Sequence, residues 1–196
     1  MAVSLVSTGV QFPDSTIQTT AATGSSPKWI FISNSAASGG TAVEIQLSGS
    51  YLVYKLFYTG MYTTSNGSLT INFSADSGGS YFTTGYAWGS IFSNGGPAVQ
   101  QTTGQPYGLV AEGNFNNGNF PSTGMFGEIT IYPGNSTTYN RPAYGVFNVG
   151  PNSGGVVPFL QAGQLRVDTT INRIKLSMNT SAAMYGNYSL YGISNV

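Results

Sequence analysis

Two stretches decide the fold class of this 196-residue chain, Tyr51-Leu-Val-Tyr-Lys-Leu-Phe-Tyr58 and Ser68-Leu-Thr-Ile-Asn-Phe-Ser74. The first is apolar on both faces of an extended chain, which is typical of a buried strand. In the second, apolar and polar residues alternate, as in a strand with one buried face. Asn66-Gly67 between them is a hairpin-turn sequence. The pattern therefore predicts that Tyr51–Tyr62 and Ser68–Ser74 pair as neighbouring antiparallel strands.

Strand patterns recur from Lys28 to the end of the chain, and no segment shows a helical period with caps. The clearest is Thr170–Met178, in which apolar residues alternate with charged and polar ones. Lys28–Ser33 is apolar on both faces and is predicted to be a buried strand. About ten short strands separated by Gly- and Asn-rich turns indicate an all-β fold, an antiparallel β-sandwich that is jelly-roll-like.

Segments rich in small residues, glycine and proline are predicted to be loops. They are Asn34–Gly40 and most of Gly89–Gly108. Tyr139–Val149 is predicted to be a strand entered through Pro142, and the proline indicates a sheet edge or a bulge, because proline cannot donate to the ladder. Val156–Phe159 is predicted to be a short strand.

The N-terminal residues are set apart by their composition. Gln11–Thr20 is almost uncharged, with Phe12 and Ile17 as its only bulky apolar residues. Pro13 followed by Asp14 indicates a turn, because proline presets φ and Asp can hydrogen-bond the following backbone. A lone hairpin of this size is marginal in water, so we favour ordering by copies from neighbouring chains over a disordered arm.

These patterns divide the chain into three parts. Residues 1–22 are predicted to be an attachment and oligomerisation arm with a short β structure, residues 23–27 a linker, and residues 28–196 the β-sandwich domain. The residues predicted to mediate attachment and oligomerisation are Phe12, Pro13, Asp14, Ile17 and Gln18.

Composition removes several classes of function. Only 6% of the residues are charged, against about a quarter in an average globular chain, and the formal net charge is zero. Electrostatic attraction to nucleic acid or to an anionic membrane is therefore not expected. The first residues lack the pattern of a signal peptide, and no segment is long and apolar enough for a membrane-spanning helix.

Enzymatic activity is not expected, because the chain has no cysteine and no histidine. Ser–His–Asp and Cys–His catalysis both need residues that are missing. Of the remaining chemistries, a glycosidase would need two of the six carboxylates to flank a sugar bond. We favour the alternative that each carboxylate lies in a turn or pairs with a cation. No metal site and no cofactor is predicted.

Aromatic residues are the best candidates for recognition. Tyr86, Trp88 and Tyr107 lie in segments rich in loop residues and are candidate contacts with a host ligand, such as a surface glycan. Aromatic rings beside Asn, Gln and Ser also build antibody paratopes. The alternative is that these rings belong to the core, where large aromatics usually pack.

Four segments resemble tailed-bacteriophage virion structural proteins. Phe12-Pro-Asp-Ser-Thr-Ile-Gln-Thr-Thr-Ala21 is similar to their recurrent F-P-D-G-T-x-Q-T-T-A segment, with Ser15 where Gly is usual. Leu69–Tyr81 resembles L-x-x-x-F-S-x-D-G-G-x-x-Y, Gly85–Trp88 matches G-Y-x-W, and Asn187–Ile193 resembles an L-Y-G-I ending. The resemblance implies a β-sandwich virion domain that is usually trimeric.

Two functions follow from that resemblance. The first is a trimeric tail fibre or fibre-tip subunit, made in the host cytoplasm, which contacts the host surface or joins fibre segments. The arm would bind other virion proteins and further copies of this chain. The second is a capsid decoration protein that stabilises the phage head. Location on the particle distinguishes them.

Overall fold

We analysed a computed structural model of the chain. It describes residues 4–6, 9–11, 17–18, 28–48, 51–65, 67–93, 97–111, 124–134, 141–152 and 155–193. The described residues form strands and turns with no helix, so the predicted all-β, antiparallel sandwich is confirmed. No helix in the described part of the chain is long and apolar enough to cross a membrane.

The strands are numbered in chain order. They are β1 (Ser4–Val6), β2 (Gly9–Gln11), β3 (Ile17–Gln18), β4 (Trp29–Gly40), β5 (Ala42–Gln46), β6 (Tyr54–Thr63), β7 (Leu69–Ser74), β8 (Tyr86–Ser93), β9 (Pro97–Gln105), β10 (Gly108–Ala111), β11 (Met125–Tyr132), β12 (Ala143–Asn152), β13 (Gly155–Leu165), β14 (Arg173–Met178) and β15 (Met184–Ile193).

The strands from β4 onward build two sheets. The large sheet has eight strands in the order β4-β15-β6-β11-β12-β13-β8-β9, and the small sheet has four in the order β10-β7-β14-β5. Consecutive strands belong to different sheets at β4/β5, β5/β6, β6/β7, β7/β8, β9/β10, β10/β11, β13/β14 and β14/β15. In these two sheets, β8/β9, β11/β12 and β12/β13 are paired strands that also follow one another in the chain, and every other pairing joins segments distant in sequence.

The core lies between the inner faces of the two sheets. Phe73 of the small sheet lies 5.8 Å from the ring of Tyr86 and 6.0 Å from that of Tyr144, both of the large sheet. Asn148, which is fully buried on β12, donates its side-chain N–H to the carbonyl of Val110 on β10 at 2.7 Å. The bond satisfies a donor of the buried amide and holds the edge strand β10 against the large sheet.

The predicted pairing of Tyr51–Tyr62 with Ser68–Ser74 is wrong. β6 pairs with β15 and β11 in the large sheet, whereas β7 pairs with β14 and β10 in the small one. The segment that contains Asn66-Gly67 therefore joins two layers instead of closing a hairpin. Both strands are apolar enough to bury, and tertiary pairing overrides the local turn signal.

Three further predictions of local structure are wrong. Lys28–Ser33 was expected to be buried, but Trp29 and Phe31 are 47% and 54% exposed on β4, an edge strand. Asn34–Gly40 continues that strand, and much of Gly89–Gly108 belongs to β8 and β9. Pairing with β15 along the length of β4 keeps Asn34–Gly40 extended, so tertiary context overrides the weak strand preference of these small residues.

Two predictions about β12 and β13 are also wrong. The strand after Pro142 is internal, since β12 pairs with both β11 and β13, and Pro142 precedes its first residue. The strand expected at Val156–Phe159 extends over Gly155–Leu165. The predicted alternation in Thr170–Met178 is confirmed: Ile174, Leu176 and Met178 are buried on β14.

The N-terminal residues form a sheet of their own. β2 pairs with β1 and β3 in an antiparallel three-stranded sheet, in which Ile17 lies opposite Gln11. Residues 23–27, predicted to be a linker, lie outside the described residues. The division of the chain into an arm and a sandwich domain stays a prediction.

Candidate interaction face of the large sheet

The outer face of the large sheet, which points away from the small sheet, carries an exposed apolar surface. Strand register sets one row of side chains across it: Phe57 on β6, Glu128 on β11, Phe147 on β12, Leu160 on β13 and Ile91 on β8. Side chains alternate between the two faces along each strand, so every second residue points outward and these five share one face. Four of the five are large and apolar.

Most of the large apolar side chains exposed by the described residues belong to this face. Ten such side chains are exposed, and the eight on the outer face are 40–54% exposed. They are Trp29, Phe31, Phe57, Ile91, Phe126, Tyr132, Phe147 and Leu160. Single exposed apolar residues are ordinary, but a cluster of this kind marks an interaction surface.

An aromatic ridge stands at one end of the face. We define the ridge as Trp29, Phe31, Phe57 and Tyr191. The Tyr191 ring makes edge-to-face contacts with Phe31 and with Phe57, each at 5.6 Å between ring centroids. Edge-to-face packing is a favoured geometry for aromatic pairs, so the rings support one another while they remain partly exposed.

One ion pair lies beside the ridge. The Lys55 ammonium is 2.8 Å from the Glu128 carboxylate, and it lies 5.5 Å from the centroid of the Trp29 ring and 5.6 Å from that of Phe57. The ammonium is thus held by a carboxylate and by two aromatic rings. The pair neutralises the charge at this position, which leaves the ridge apolar and close to neutral.

A shallow trough lies at the other end of the face. We define the trough by its small residues Ala87, Gly89, Ala143 and Ala162. They line a groove of about 710 Å³ together with polar residues and with Trp88, Ile91, Leu160 and Gly163. In register, Gly89 lies opposite Ala162, and Ala162 lies opposite Gly145. A run of Gly and Ala across three strands lowers the surface between the flanking larger side chains.

The three residues predicted to contact a ligand differ in how deeply they are buried. Tyr86 is fully buried in the core, and its hydroxyl accepts a hydrogen bond from the N–H of Phe73 at 2.7 Å, so its prediction as an exposed contact is wrong. Burial raises the pKa of Tyr86 to about 12. Trp88 is half-buried against the core, and Tyr107 is half-buried between β9 and β10. Contact roles for Trp88 and Tyr107 stay predictions.

The predicted attachment residues are only partly described. Phe12, Pro13 and Asp14 lie outside the described residues. Ile17 and Gln18 form β3, where Gln18 lies opposite Val10 of β2. Their role in oligomerisation stays a prediction.

The described carboxylates each have a local partner. Glu44 contacts Arg173 at 3.1 Å, Glu128 contacts Lys55, and Asp168 contacts Arg141 at 3.0 Å. Asp76 accepts hydrogen bonds from the Ser80 hydroxyl and backbone N–H and from the Ser74 hydroxyl, which hold the pKa of its carboxyl well below the usual range. Within the described ranges no three acidic residues lie together as a metal site would require.

Sequence reasoning missed both the ridge and the trough. Lys28–Ser33 was read as a core strand, since an apolar run does not show which of its faces the chain itself covers. The glycines and alanines of β8 and β13 are separated in sequence, and only the strand register brings them together. The available signal was a nearly uncharged composition combined with aromatic residues in strand-like segments.

Comparisons of this chain with protein-family models, with curated proteins and with solved structures found no match.

Proposed function

We propose that this chain is a structural protein of a tailed-bacteriophage virion, a subunit of a homotrimeric tail fibre or fibre tip that contacts the host surface or joins fibre segments. The observation that carries the proposal is the outer face of the large sheet, where eight large apolar side chains are 40–54% exposed. Such a surface favours association with other protein subunits. The segments resembling virion proteins at both ends of the chain support the same assignment.

The mechanism is rigid display and multivalent contact. A sandwich whose sheets are bridged by Phe73, Tyr86 and Tyr144 provides a stiff support for exposed side chains. Three copies in one fibre convert a modest affinity at each site into a higher avidity. The arm, including Ile17 and Gln18, attaches the subunit to neighbouring virion proteins.

We also infer that the sandwich is an elaborated jelly roll. The strands β4-β15-β6-β11 and β5-β14-β7-β10 interleave between two sheets, as two Greek keys in a jelly roll do. In that interpretation β8, β9, β12 and β13 are additions that extend one sheet. The trough lies on these added strands, which places it outside the elements that define the fold.

A capsid decoration protein is the second candidate. The breadth of the outer face, which spans eight strands, also suits seating against the flat surface of a shell. In that case the function is stabilisation of the head, and loss of the protein causes head bursting instead of failed adsorption.

Immunogold labelling of intact particles with an antibody to residues 28–196 tests the proposal. Label on the tail or the baseplate is the expected result and makes adsorption to host cells the next assay. Label over the head supports the decoration protein. Particles that carry no label, in a preparation where the antibody detects the purified chain, would overturn both assignments.

A further inference from the structure

We propose that the outer face of the large sheet binds a second copy of this chain head to tail, with the ridge of one copy seated in the trough of the next. The inference rests on the homotrimer of the proposed function and identifies the surface through which its copies associate. The occupant of the face is therefore another sandwich domain, and the contact does not need the arm.

The two ends of the face differ in shape in a complementary way. The strand register aligns one row of residues across the sheet, from Phe31 and Tyr191 at the β4 edge to Ala162 and Gly89 near the β9 edge. The side chains thus change from large rings to a methyl group and a hydrogen across a single sheet. Interdigitation of large and small side chains is how well-packed interfaces reach the density of protein interiors.

The charge pattern allows copies to approach each other. The formal net charge of the chain is zero, so two copies have no net repulsion. Lys55 and Glu128 pair with each other within one chain at 2.8 Å, with side chains that are 22% and 32% exposed. The described face consequently brings no unpaired charge into the contact.

The exposed apolar area fits a small specific contact. A large apolar side chain has roughly 150–200 Å² of surface, so eight of them at about half exposure offer on the order of 700 Å² over the whole face. Because each copy has two contacts, one at the ridge and one at the trough, each contact receives on the order of 350 Å² of apolar area. Interfaces are about 57% non-polar, so each contact buries about 600 Å² on each partner, which is the lower end of the range for specific interfaces. Gln101, Thr103 and Gln164 form part of the polar rim at the trough.

A head-to-tail contact has a geometric consequence. Each copy uses its ridge on one neighbour and its trough on another, so the contact is heterologous and closes into a ring when the rotation between copies is a whole fraction of a turn. Three copies at one third of a turn form the trimer of the proposed function.

Single lysine substitutions at the two ends test the surface. Phe31→Lys places a charge on the ridge, and Ala162→Lys fills and charges the trough. Each is expected to raise the concentration for half-assembly by about tenfold or more, measured by analytical ultracentrifugation, because a charge is buried without a partner. Ala42→Lys is the matched control, since Ala42 is an exposed strand alanine in the small sheet and should leave assembly unchanged.

A mixing experiment tests the head-to-tail arrangement itself. A Phe31→Lys chain keeps an intact trough, and an Ala162→Lys chain keeps an intact ridge, so the mixture contains one native contact. We expect the mixture to form one-to-one pairs at a concentration at which each variant alone stays monomeric. A ridge-to-ridge contact would instead leave Ala162→Lys assembled by itself, which would overturn the proposal.

Folding is checked separately for each variant by its melting temperature. If either lysine variant does not fold, Trp29→Ser for the ridge and Ala87→Lys for the trough replace it in both experiments. An assembled wild-type chain whose folded variants assemble equally well would overturn the surface and leave the proposed virion role intact. A wild-type chain that is monomeric in native solution would overturn the homotrimer as well.

Discussion

The hydroxyl of Tyr86 on the large sheet accepts a hydrogen bond from the backbone N–H of Phe73 on the small sheet, at 2.7 Å, and the two rings lie 5.8 Å apart. Both residues are fully buried, so the bond satisfies the N–H of Phe73, which solvent cannot reach. One side chain thereby links the two layers through a polar contact and an apolar one. Tyr86 is for this reason a structural residue.

Tyr86→Phe is expected to lower the free energy of unfolding by about 1–2 kcal/mol. It removes the acceptor and leaves the N–H of Phe73 buried without a partner, which costs the desolvation of that group. Urea unfolding measures the change as a shift of the midpoint at constant slope. Tyr107→Phe, at a half-buried position, is the control and should change stability little. Equal midpoints for Tyr86→Phe and the wild type would contradict the prediction.

Two glycines on paired strands give a matched test of packing. A Cβ at Gly163 would lie 2.5 Å from ring atoms of the buried Tyr144, whereas a Cβ at Gly145 would meet nothing within 4 Å. Gly163→Ala should destabilise the fold by about 1–3 kcal/mol through overpacking. Gly145→Ala should be neutral or stabilising by a few tenths of a kcal/mol, because it restricts the unfolded chain.

Thermal or urea unfolding of these two variants separates packing from backbone effects. Gly163→Ala and Gly145→Ala change the same residue type in neighbouring strands of one sheet. A similar stability for both would show that Tyr144 can move away from the added methyl group, and would contradict the assigned packing.

How much of this could be read from the sequence differs between elements. The inward residues of β14, Ile174, Leu176 and Met178, follow from alternation alone, because one face of that strand is buried by the chain itself. The partner of β7 does not follow, since any apolar strand can pair with any other and the choice is made by tertiary packing. The turn sequence Asn66-Gly67 therefore led to the wrong prediction that β6 pairs with β7.

The candidate face shows a second limit of sequence reasoning. Trp29 and Phe31 have the composition of core residues, yet they are half-exposed on an edge strand. Hydrophobicity reports that a side chain prefers to leave water, and it does not report whether its own chain or another one covers it. The trough escaped prediction for a different reason: Gly89 and Ala162 are 73 positions apart in the chain and meet only through strand register.

Trp88→Ala is expected to lower the free energy of unfolding by about 2 kcal/mol, less than for a fully buried tryptophan, since the ring is half-buried against the core. Trp88→Phe retains most of the packing, and no described group accepts a hydrogen bond from the indole N–H that it removes. Its melting temperature should stay close to that of the wild type. An unchanged melting temperature for Trp88→Ala would contradict the packing role.

The pair of Trp88 variants also tests the predicted contact with a host ligand. Binding to host cells is measured for Trp88→Phe and for the wild type at equal concentration. Loss of binding by a fully folded Trp88→Phe would support a contact role, because stability is then unaffected. Retained binding would leave Trp88 with its role in packing.

Acid is expected to destabilise the turn that Asp76 organises. The Ser80 hydroxyl, the Ser80 backbone N–H and the Ser74 hydroxyl donate to its carboxylate, and they hold the pKa of Asp76 below its unfolded value of about 4. A lowered folded-state pKa stabilises the fold above the unfolded pKa, and this contribution is lost as the pH falls below about 4. The melting temperature of the wild type should therefore decrease in acid.

Asp76→Asn isolates that contribution from the other carboxylates. The variant should melt below the wild type at neutral pH, and the difference should shrink as the pH falls from about 5 to 2. A difference between the two proteins that is the same at all pH values would contradict an electrostatic origin.

Alkali provides a last test, through the tyrosines of the core. Burial raises the pKa of Tyr58 and of Tyr144 far above the usual value of about 10, and that of Tyr86 to about 12. A raised folded-state pKa stabilises the fold fully below the unfolded pKa, and the contribution is lost as the pH rises above about 10. Ultraviolet titration should show ionisation of Tyr58, Tyr86 and Tyr144 as a late phase coincident with unfolding. Tyr58→Phe and Tyr144→Phe should each remove one ring from the late phase, whereas a single phase near pH 10 with the circular dichroism of the folded chain intact would show that these hydroxyls are not buried.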